Sequence, residues 1–260
     1  MGQPDAAPAI AGRLRTIGTA AIFLALLWVA GRQTDFSFVD LWTGANDFFG
    51  FFLRLNPDWR ALSQIWAPLL ETLQIAYLGT VFGTLLAAPL IFLASFNTTA
   101  NAPVMWIART ILTLIRSIPD LLYAAILAPI LSIGPLPGVV ALTIFTMAVL
   151  AKLASETVEA VDPGPLEALR ATGAGRNRMI VYSVLPQIGA TMTSYILYVF
   201  EINVRASTVL GLVGAGGLGQ LLVTYLNFFD YEGIAVLIIV IFAVVLLIDA
   251  ASVYIRTRLL

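Results

Sequence analysis

The sequence predicts an all-α membrane protein with about six transmembrane helices, and three observations carry that reading. Hydrophobic residues make up 60% of the 260 and charged residues only 11%, with a mean hydropathy of +0.93; an ordinary soluble domain carries about 25% charged residues. Several apolar runs exceed the ~18 residues that signal a bilayer-spanning helix. Polar breaks bearing proline and glycine separate those runs, and little chain is left over for an extramembrane domain. Composition also removes chemistry. There is no cysteine and no histidine, so disulfides, thiol catalysis and the commonest zinc sites are excluded, and no catalytic or metal-ligating set is expected.

Taken in order, residues 1–16 read as a tail, small and proline-bearing, ending in Arg13 and Arg15. Met1-Gly2 invites a myristoylation reading, but Ala6 stands where that motif needs Ser or Thr. The apolar run Ile17–Ala30 follows the arginines as a signal peptide would. A cut after Ala30 would place Trp28 at the small-residue position, so the run reads as an uncleaved first helix. Residues 17–66 are this helix and a connection in which Arg32, Asp35, Asp40, Asp47, Arg54, Asp58 and Arg60 alternate with Phe and Trp. That mixture suits a segment lying at the membrane interface.

Residues 67–260 form the core. Pro68–Phe96 is a second helix of about 43 Å, long enough to require tilt or a bend at Pro89. Gly79, Gly83 and Ala87 fall on one face of it as a close-packing stripe. Pro103–Ile133 is a third apolar region, interrupted by Arg109, Arg116, Pro119 and Asp120; Gly134–Gly138 reads as a turn. A fourth helix runs from about Val139 to Ala160 and ends in Lys152, Glu156 and Glu159. Asp162-Pro163-Gly164-Pro165 stops it. Glu167–Pro186 is then a polar, basic island that reads as two short helical pieces joined at Gly173. A fifth helix follows Pro186 to about Leu212. A glycine-rich stretch, Gly214–Gly219, leads through an aromatic connection to the sixth helix, Gly233–Ile255.

Six spans put both termini on one side. With the termini inside, the inner segments hold Arg13, Arg15, Lys152, Arg170, Arg176, Arg178, Arg256 and Arg258, against Arg32, Arg54 and Arg60 outside. The positive-inside rule therefore places both termini and the island in the cytoplasm. A folded polar element held outside the lipid is offered to a partner. The chain itself has no means of binding ATP, since a phosphate-cradling GxxxxGK[ST] loop needs a lysine and the only one is Lys152, in AKLA.

Glu167-Ala168, Gly173, and Leu185-Pro186 twelve residues further on resemble the EAA loop of permease subunits in ATP-binding-cassette importers. Leu169 stands in place of the second alanine and Ser183 in place of the usual isoleucine. Val161–Ala174, Val184–Gln187, Tyr198–Gln220 and Arg116–Leu122 resemble the phosphonate-type permeases in particular, and the likeness covers about 71–256. It implies a type I importer permease fold. It also implies a coupling loop at 163–186, with Glu167, Ala168, Leu169, Gly173, Leu185 and Pro186 docking on a cytoplasmic ATPase. Two copies of the permease, two ATPase subunits holding ATP and magnesium, and an extracytoplasmic solute-binding protein would form the complex. The implied place is the bacterial cytoplasmic membrane, crossed several times, and the implied cargo is phosphonate, phosphate or phosphite. This chain would be no enzyme, bind no cofactor and take no nucleic acid.

The intramembrane charges are the candidates for a pathway, because ionisable groups there cost ~2.5–3.5 kcal/mol each and need partners or water. Glu201 and Arg205 are spaced for an ion pair within one helix, with Asn203 between them pointing elsewhere. Two readings stand: a mutually neutralising pair, or Arg205 offering its guanidinium to an anion. Arg116 and Asp120 have the same spacing across Pro119, where a kink is expected. Gly214, Gly216 and Gly217 belong to a G-x-G-x-x-G string that mimics a dinucleotide fingerprint but lacks the strand–helix context. It reads as a close-packed turn, or, on the resemblance, as an outer gate. A permease for another small solute, an ion-coupled secondary transporter and a membrane enzyme are the alternatives. The second would show internal repeats, and the third an acid–base pair, which the scattered Glu71, Asp120, Glu156, Glu201 and Asp249 do not make.

Overall fold

A computed structural model describes residues 7–54, 56–99 and 101–259, and every regular element among them is helical. The chain divides into two units, Met1–Leu55 and Asn56–Leu260. The first holds α1 (Ala7–Gln33) and α2 (Phe38–Arg54). Helix α1 begins within the expected tail, because alanines at 7, 9 and 11 favour helix and Pro8 sits in its first turn, where no donor is lost. Helix α2 occupies the expected connection. Apolar residues at 38, 41, 42, 45 and 48 recur at helical spacing, and Phe38, Leu41 and Trp42 are exposed.

The second unit opens with a short 3-10 turn, Trp59–Ala61, capped by Asp58, whose carboxylate accepts from the Arg60 N–H at 3.0 Å. Helix α3 (Leu62–Ala94) follows, and α4 (Ala102–Ser117) and α5 (Asp120–Leu131) form one apolar stretch broken by 82° at Ile118-Pro119. Pro119 lacks an N–H and keeps Ile118 extended, so the ladder cannot pass. The Tyr123 hydroxyl donates to the Ile115 carbonyl at 2.9 Å across the break.

Helix α6 (Pro135–Glu159) corrects the expected turn at 134–138. Positive φ angles at Ser132 (75°) and Gly134 (145°) complete the reversal earlier, and Pro135 opens the helix, where a missing N–H is harmless. Next come α7 (Pro163–Ala171), α8 (Arg176–Met179), a wide π turn over Ile180–Val184, and α9 (Leu185–Leu210). A 3-10 turn, Gly211–Val213, then leads to α10 (Gly217–Asn227) and α11 (Tyr231–Leu259). Among the described residues, five helical stretches are long and apolar enough to cross a membrane, and the bent α4–α5 pair makes a sixth if counted as one span.

Helices α3 and α6 form the central seam. A β-carbon on Gly79 would lie 2.5 Å from Leu142 Cβ, and one on Gly83 would lie 2.4 Å from Thr146 Cβ, so the glycine stripe does pack a neighbour. Helices in lipid gain no hydrophobic drive from meeting each other, and close backbone approach is what holds them. Three apolar clusters run along the unit. One surrounds Ile91, Leu150, Val158, Leu166 and Val184; a middle one includes Ile75, Leu142 and Leu210; the last joins Ile65 and Leu69 to Leu218 and Leu237.

Candidate functional site

The polar hairpin of α7 and α8 is built from its ends inward. Asp162 caps α7 by accepting from the Gly164 N–H at 2.9 Å, and Gln187 ties the corner to α9 by accepting from the Asp162 N–H at 2.9 Å and donating to the Ser183 carbonyl at 3.0 Å. One side of α7 is anchored, since Leu166 is buried in the cluster that contains Val184. The opposite side, with Glu167 and Ala168, is exposed, and Leu169 is half-buried. Gly173 ends α7 with φ +75°: its N–H donates to the Arg170 carbonyl at 3.0 Å, and the Ala174 N–H donates to the Leu169 carbonyl at 3.1 Å. This is a Schellman cap, and the left-handed conformation explains the glycine.

Leu185 and Pro186 are exposed at the start of α9. Pro186 has no N–H to give and its ring would crowd the carbonyl four residues back, which accounts for the π turn just before it. The second arm of the hairpin is therefore continuous with a membrane helix, where a separate piece was expected. Below α7 lies a cleft of about 280 Å³ edged by Phe96, Asn97, Glu159, Glu167 and Arg170.

Behind that cleft is a clamp that sequence reasoning missed. Arg109 pairs with Glu159, donates its Nε–H to the Ala94 carbonyl at 2.7 Å, and Glu159 also accepts from the Phe96 N–H at 2.8 Å. Asn97 donates to the Val158 carbonyl at 2.5 Å. The ends of α3 and α6 are thereby locked to α4 beside the hairpin. A charge such as Arg109 in an apolar run signals that a partner exists. Which carboxylate it finds is not readable across 50 residues.

The eight candidate pathway residues fall in three places. Arg116 and Asp120 flank the α4–α5 break but form no ion pair with each other among the described residues; the Asp120 carboxylate accepts from the Leu121 N–H at 2.9 Å, inside the first turn of α5. Glu201 and Arg205 do pair, and a third member joins them: Arg256 of α11 reaches the other Glu201 oxygen at 3.1 Å. Glu201 is 6% exposed. Asn203 faces away from these charges, fully buried, and its amide donates to Thr80 Oγ1 at 2.8 Å and Thr146 Oγ1 at 2.7 Å, tying α9 to α3 and α6.

The glycine string is the third place. Gly214, Gly216 and Gly217 all take positive φ, of 90°, 80° and 67°. The Gly217 N–H donates to Glu71 Oε2 at 3.1 Å and the Leu218 N–H to Thr72 Oγ1 at 2.8 Å, so two side chains of α3 cap α10. The Gly214 carbonyl accepts from the Gly134 N–H at 2.9 Å. At the far end of α10 the Tyr225 hydroxyl donates to Gln64 Oε1 at 3.4 Å, and burial, with the Asp230 charge behind it, raises the phenol's pKa above its ordinary value. Among the described residues no group of three or more acidic side chains is placed to hold a metal.

Residues 79–260 match a family described as the binding-protein-dependent transport system inner membrane component. A Stutzerimonas stutzeri protein whose name makes it the permease of a phosphite transport system, HtxC, is 36% identical over 96% of this chain and 88% of its own length. The phosphite transport system permease protein PtxC of the same organism is 36% identical over 76% of this chain and 72% of its own. The phosphate-import permease protein PhnE of Mycolicibacterium smegmatis is 36% identical over 81% of this chain, which spans 40% of that longer protein. Among solved structures, a chain of the MetNI methionine ABC transporter in an inward-facing conformation superposes with a TM-score of 0.69 at 22% identity, covering 78% of this chain and 99% of that one. At that identity the likeness is one of fold.

Proposed function

The chain belongs to the binding-protein-dependent transport system inner membrane component family and has the fold of a type I ATP-binding-cassette importer permease; on that premise we propose that it is the membrane subunit of an importer for a phosphorus oxyanion, namely phosphite, phosphate or a phosphonate. The relatives' names support that cargo. ATP and magnesium sit on a separate ATPase, because this chain carries no phosphate-cradling loop. Two copies line one pathway, two ATPase subunits dock from the cytoplasm, and an extracytoplasmic binding protein delivers the solute. Both termini and the α7–α8 hairpin face the cytoplasm of a bacterial cell, in the orientation that the arginine distribution favours.

The observation that carries the coupling role is the build of the hairpin: an exposed face with Glu167 at its centre, held by a Schellman cap at one end and the Asp162–Gln187 corner at the other. A part that transmits movement must not flex. The clamp of Arg109 and Glu159 supplies the footing, so displacement of α7 is passed to α3, α4 and α6 together.

Co-expression with the cognate ATPase tests this. The two polypeptides are expected to purify as one complex. Glu167→Arg, which reverses the charge on the exposed face, and Gly173→Pro, which cannot adopt φ +75°, should each reduce recovered ATPase at least tenfold. A permease that purifies alone and transports without ATP would refute the reading.

A further inference from the structure

The Glu201 cluster does not balance. One carboxylate, sealed from solvent, takes two guanidiniums, and both of its oxygens are occupied. Asp249, the nearest acidic residue along α11, stands seven positions before Arg256, roughly 10 Å of helix rise away, and makes no ion pair among the described residues. The contact group therefore carries a surplus of one positive charge.

The surplus is presented on one side. The Arg205 side chain is 50% exposed while that of Glu201 is 7% exposed. Arg256 is more enclosed: it lies over the Tyr198 ring at 5.9 Å and gives its Nε–H to the Ser252 carbonyl at 3.3 Å. A guanidinium has five N–H donors in a planar fork. Arg205 spends donors on Glu201 alone, so the rest of its fork is open.

Depth decides what can meet it. Asn203, two residues away, is bonded to Thr80 and Thr146, which lie near the middle of α3 and α6. A half-exposed cation at mid-span facing hydrocarbon is disfavoured, so this face of α9 fronts water, an anion or the second copy of the chain. Arg256, three residues before the end of α11 at Leu259, brings one edge of the cluster towards a membrane surface, so a lipid phosphate is the rival anion.

We propose that Arg205, with its charge left uncompensated by the sharing of Glu201 with Arg256, is a transient binding site for a phosphorus oxyanion passing through the membrane. The planar fork suits two oxygens of a tetrahedral oxyanion, and a Lys would offer only a point charge. Glu201 keeps the site from holding too tightly, since its carboxylate competes for the same donors. The inference rests on the transport reading above and names the residue that touches the cargo.

The test uses the complete complex of permease, ATPase and binding protein in liposomes, with uptake of labelled phosphate and of labelled phosphite, and assembly checked by size-exclusion chromatography. Arg205→Gln is expected to lower uptake of both at least tenfold while the complex still assembles. Arg205→Lys should recover part of the loss, and Arg256→Gln should lower uptake less than Arg205→Gln. Uptake by Arg205→Gln at the wild-type rate overturns the site, as does loss of assembly in both Arg205 variants, which would make Arg205 an intersubunit contact. The measurements are repeated in vesicles with and without anionic lipid. A defect that disappears without anionic lipid would assign Arg205 to a headgroup and overturn the proposal. A wild-type complex that moves neither of these anions nor a labelled phosphonate would instead overturn the transport reading, and the site with it.

Discussion

At Glu201 a single carboxylate sits between two guanidiniums, and its removal has a definite sign. Glu201→Gln leaves Arg205 and Arg256 close together without a counter-charge. Breaking a fully buried pair this way costs about 3–5 kcal/mol. Because the Arg205 side chain is half exposed, ~1–3 kcal/mol is the more suitable range, the cost of an unmatched hydrogen-bonding group. A thermal melt of the purified complex should show Glu201→Gln several degrees less stable than the parent; an unchanged midpoint would mean the cluster contributes nothing. The Glu201–Arg205 half was legible from four-residue spacing on one helix. Arg256 was not, since 55 residues separate it from Glu201 and only the packing of α11 on α9 brings it there. Asn203 shows the same limit: that it points away from the two charges was legible from helical spacing, but not that its amide is spent on threonines of two other helices. Such bonds average ~0.6 kcal/mol between membrane helices, so Asn203 specifies register more than it adds stability.

The α3–α6 pair is held by absence of side chain. Gly83→Leu would push a branched side chain into Thr146 Cβ and the Thr143 carbonyl, which a β-carbon would already approach to 2.4 Å and 2.9 Å. Overpacking of a tight core costs about 1–3 kcal/mol, and here neither neighbour can swing away, because one contact is backbone. Gly83→Leu should lower the yield of folded protein in detergent and the melting midpoint, whereas Gly31→Leu, with nothing within 4 Å of its added carbon, should do neither. The stripe was readable because four-residue spacing maps onto one helix face. Helix α10 was not readable. Its start depends on Glu71 and Thr72 of α3 capping Gly217 and Leu218, so glycines that resemble a loop become a helix N-terminus. The proline-rich 134–138 misled in the opposite way, since proline marks a turn and a first helical turn equally well.

For the molecule as a whole, orientation is the property that every coupling argument depends on. The chain has no cysteine, so single-cysteine variants can be labelled against a silent background. Thr34→Cys, after α1, should react with a membrane-impermeant maleimide in intact cells. Ala174→Cys, at the tip of the hairpin, should react only once the membrane is opened. The reverse pattern would place the hairpin outside and remove the coupling role. The structure also distributes the work. The hairpin and its clamp lie beside the cluster of Ile91, Leu150 and Val158, while the glycine turn and α10 pack with the cluster of Ile65, Leu69 and Leu237. The Asn203 seam lies between them, at the middle of α3 and α6.

Sequence alone determined the class and the apolar spans, and it marked out the polar hairpin for which we propose the coupling role. Hydropathy, positive charge in connecting segments and short motifs are all local along the chain, and a bilayer constrains local segments strongly: a span must be apolar and about 20 residues long wherever it packs. Tertiary structure alone decided which charges meet. Arg109 with Glu159, and Arg256 with Glu201, are pairings between distant helices whose rotation is set by small-residue packing at the α3–α6 seam and by the α9 contacts. A few degrees of rotation or one turn of slip would pair each arginine differently, and the one-dimensional pattern carries no record of either.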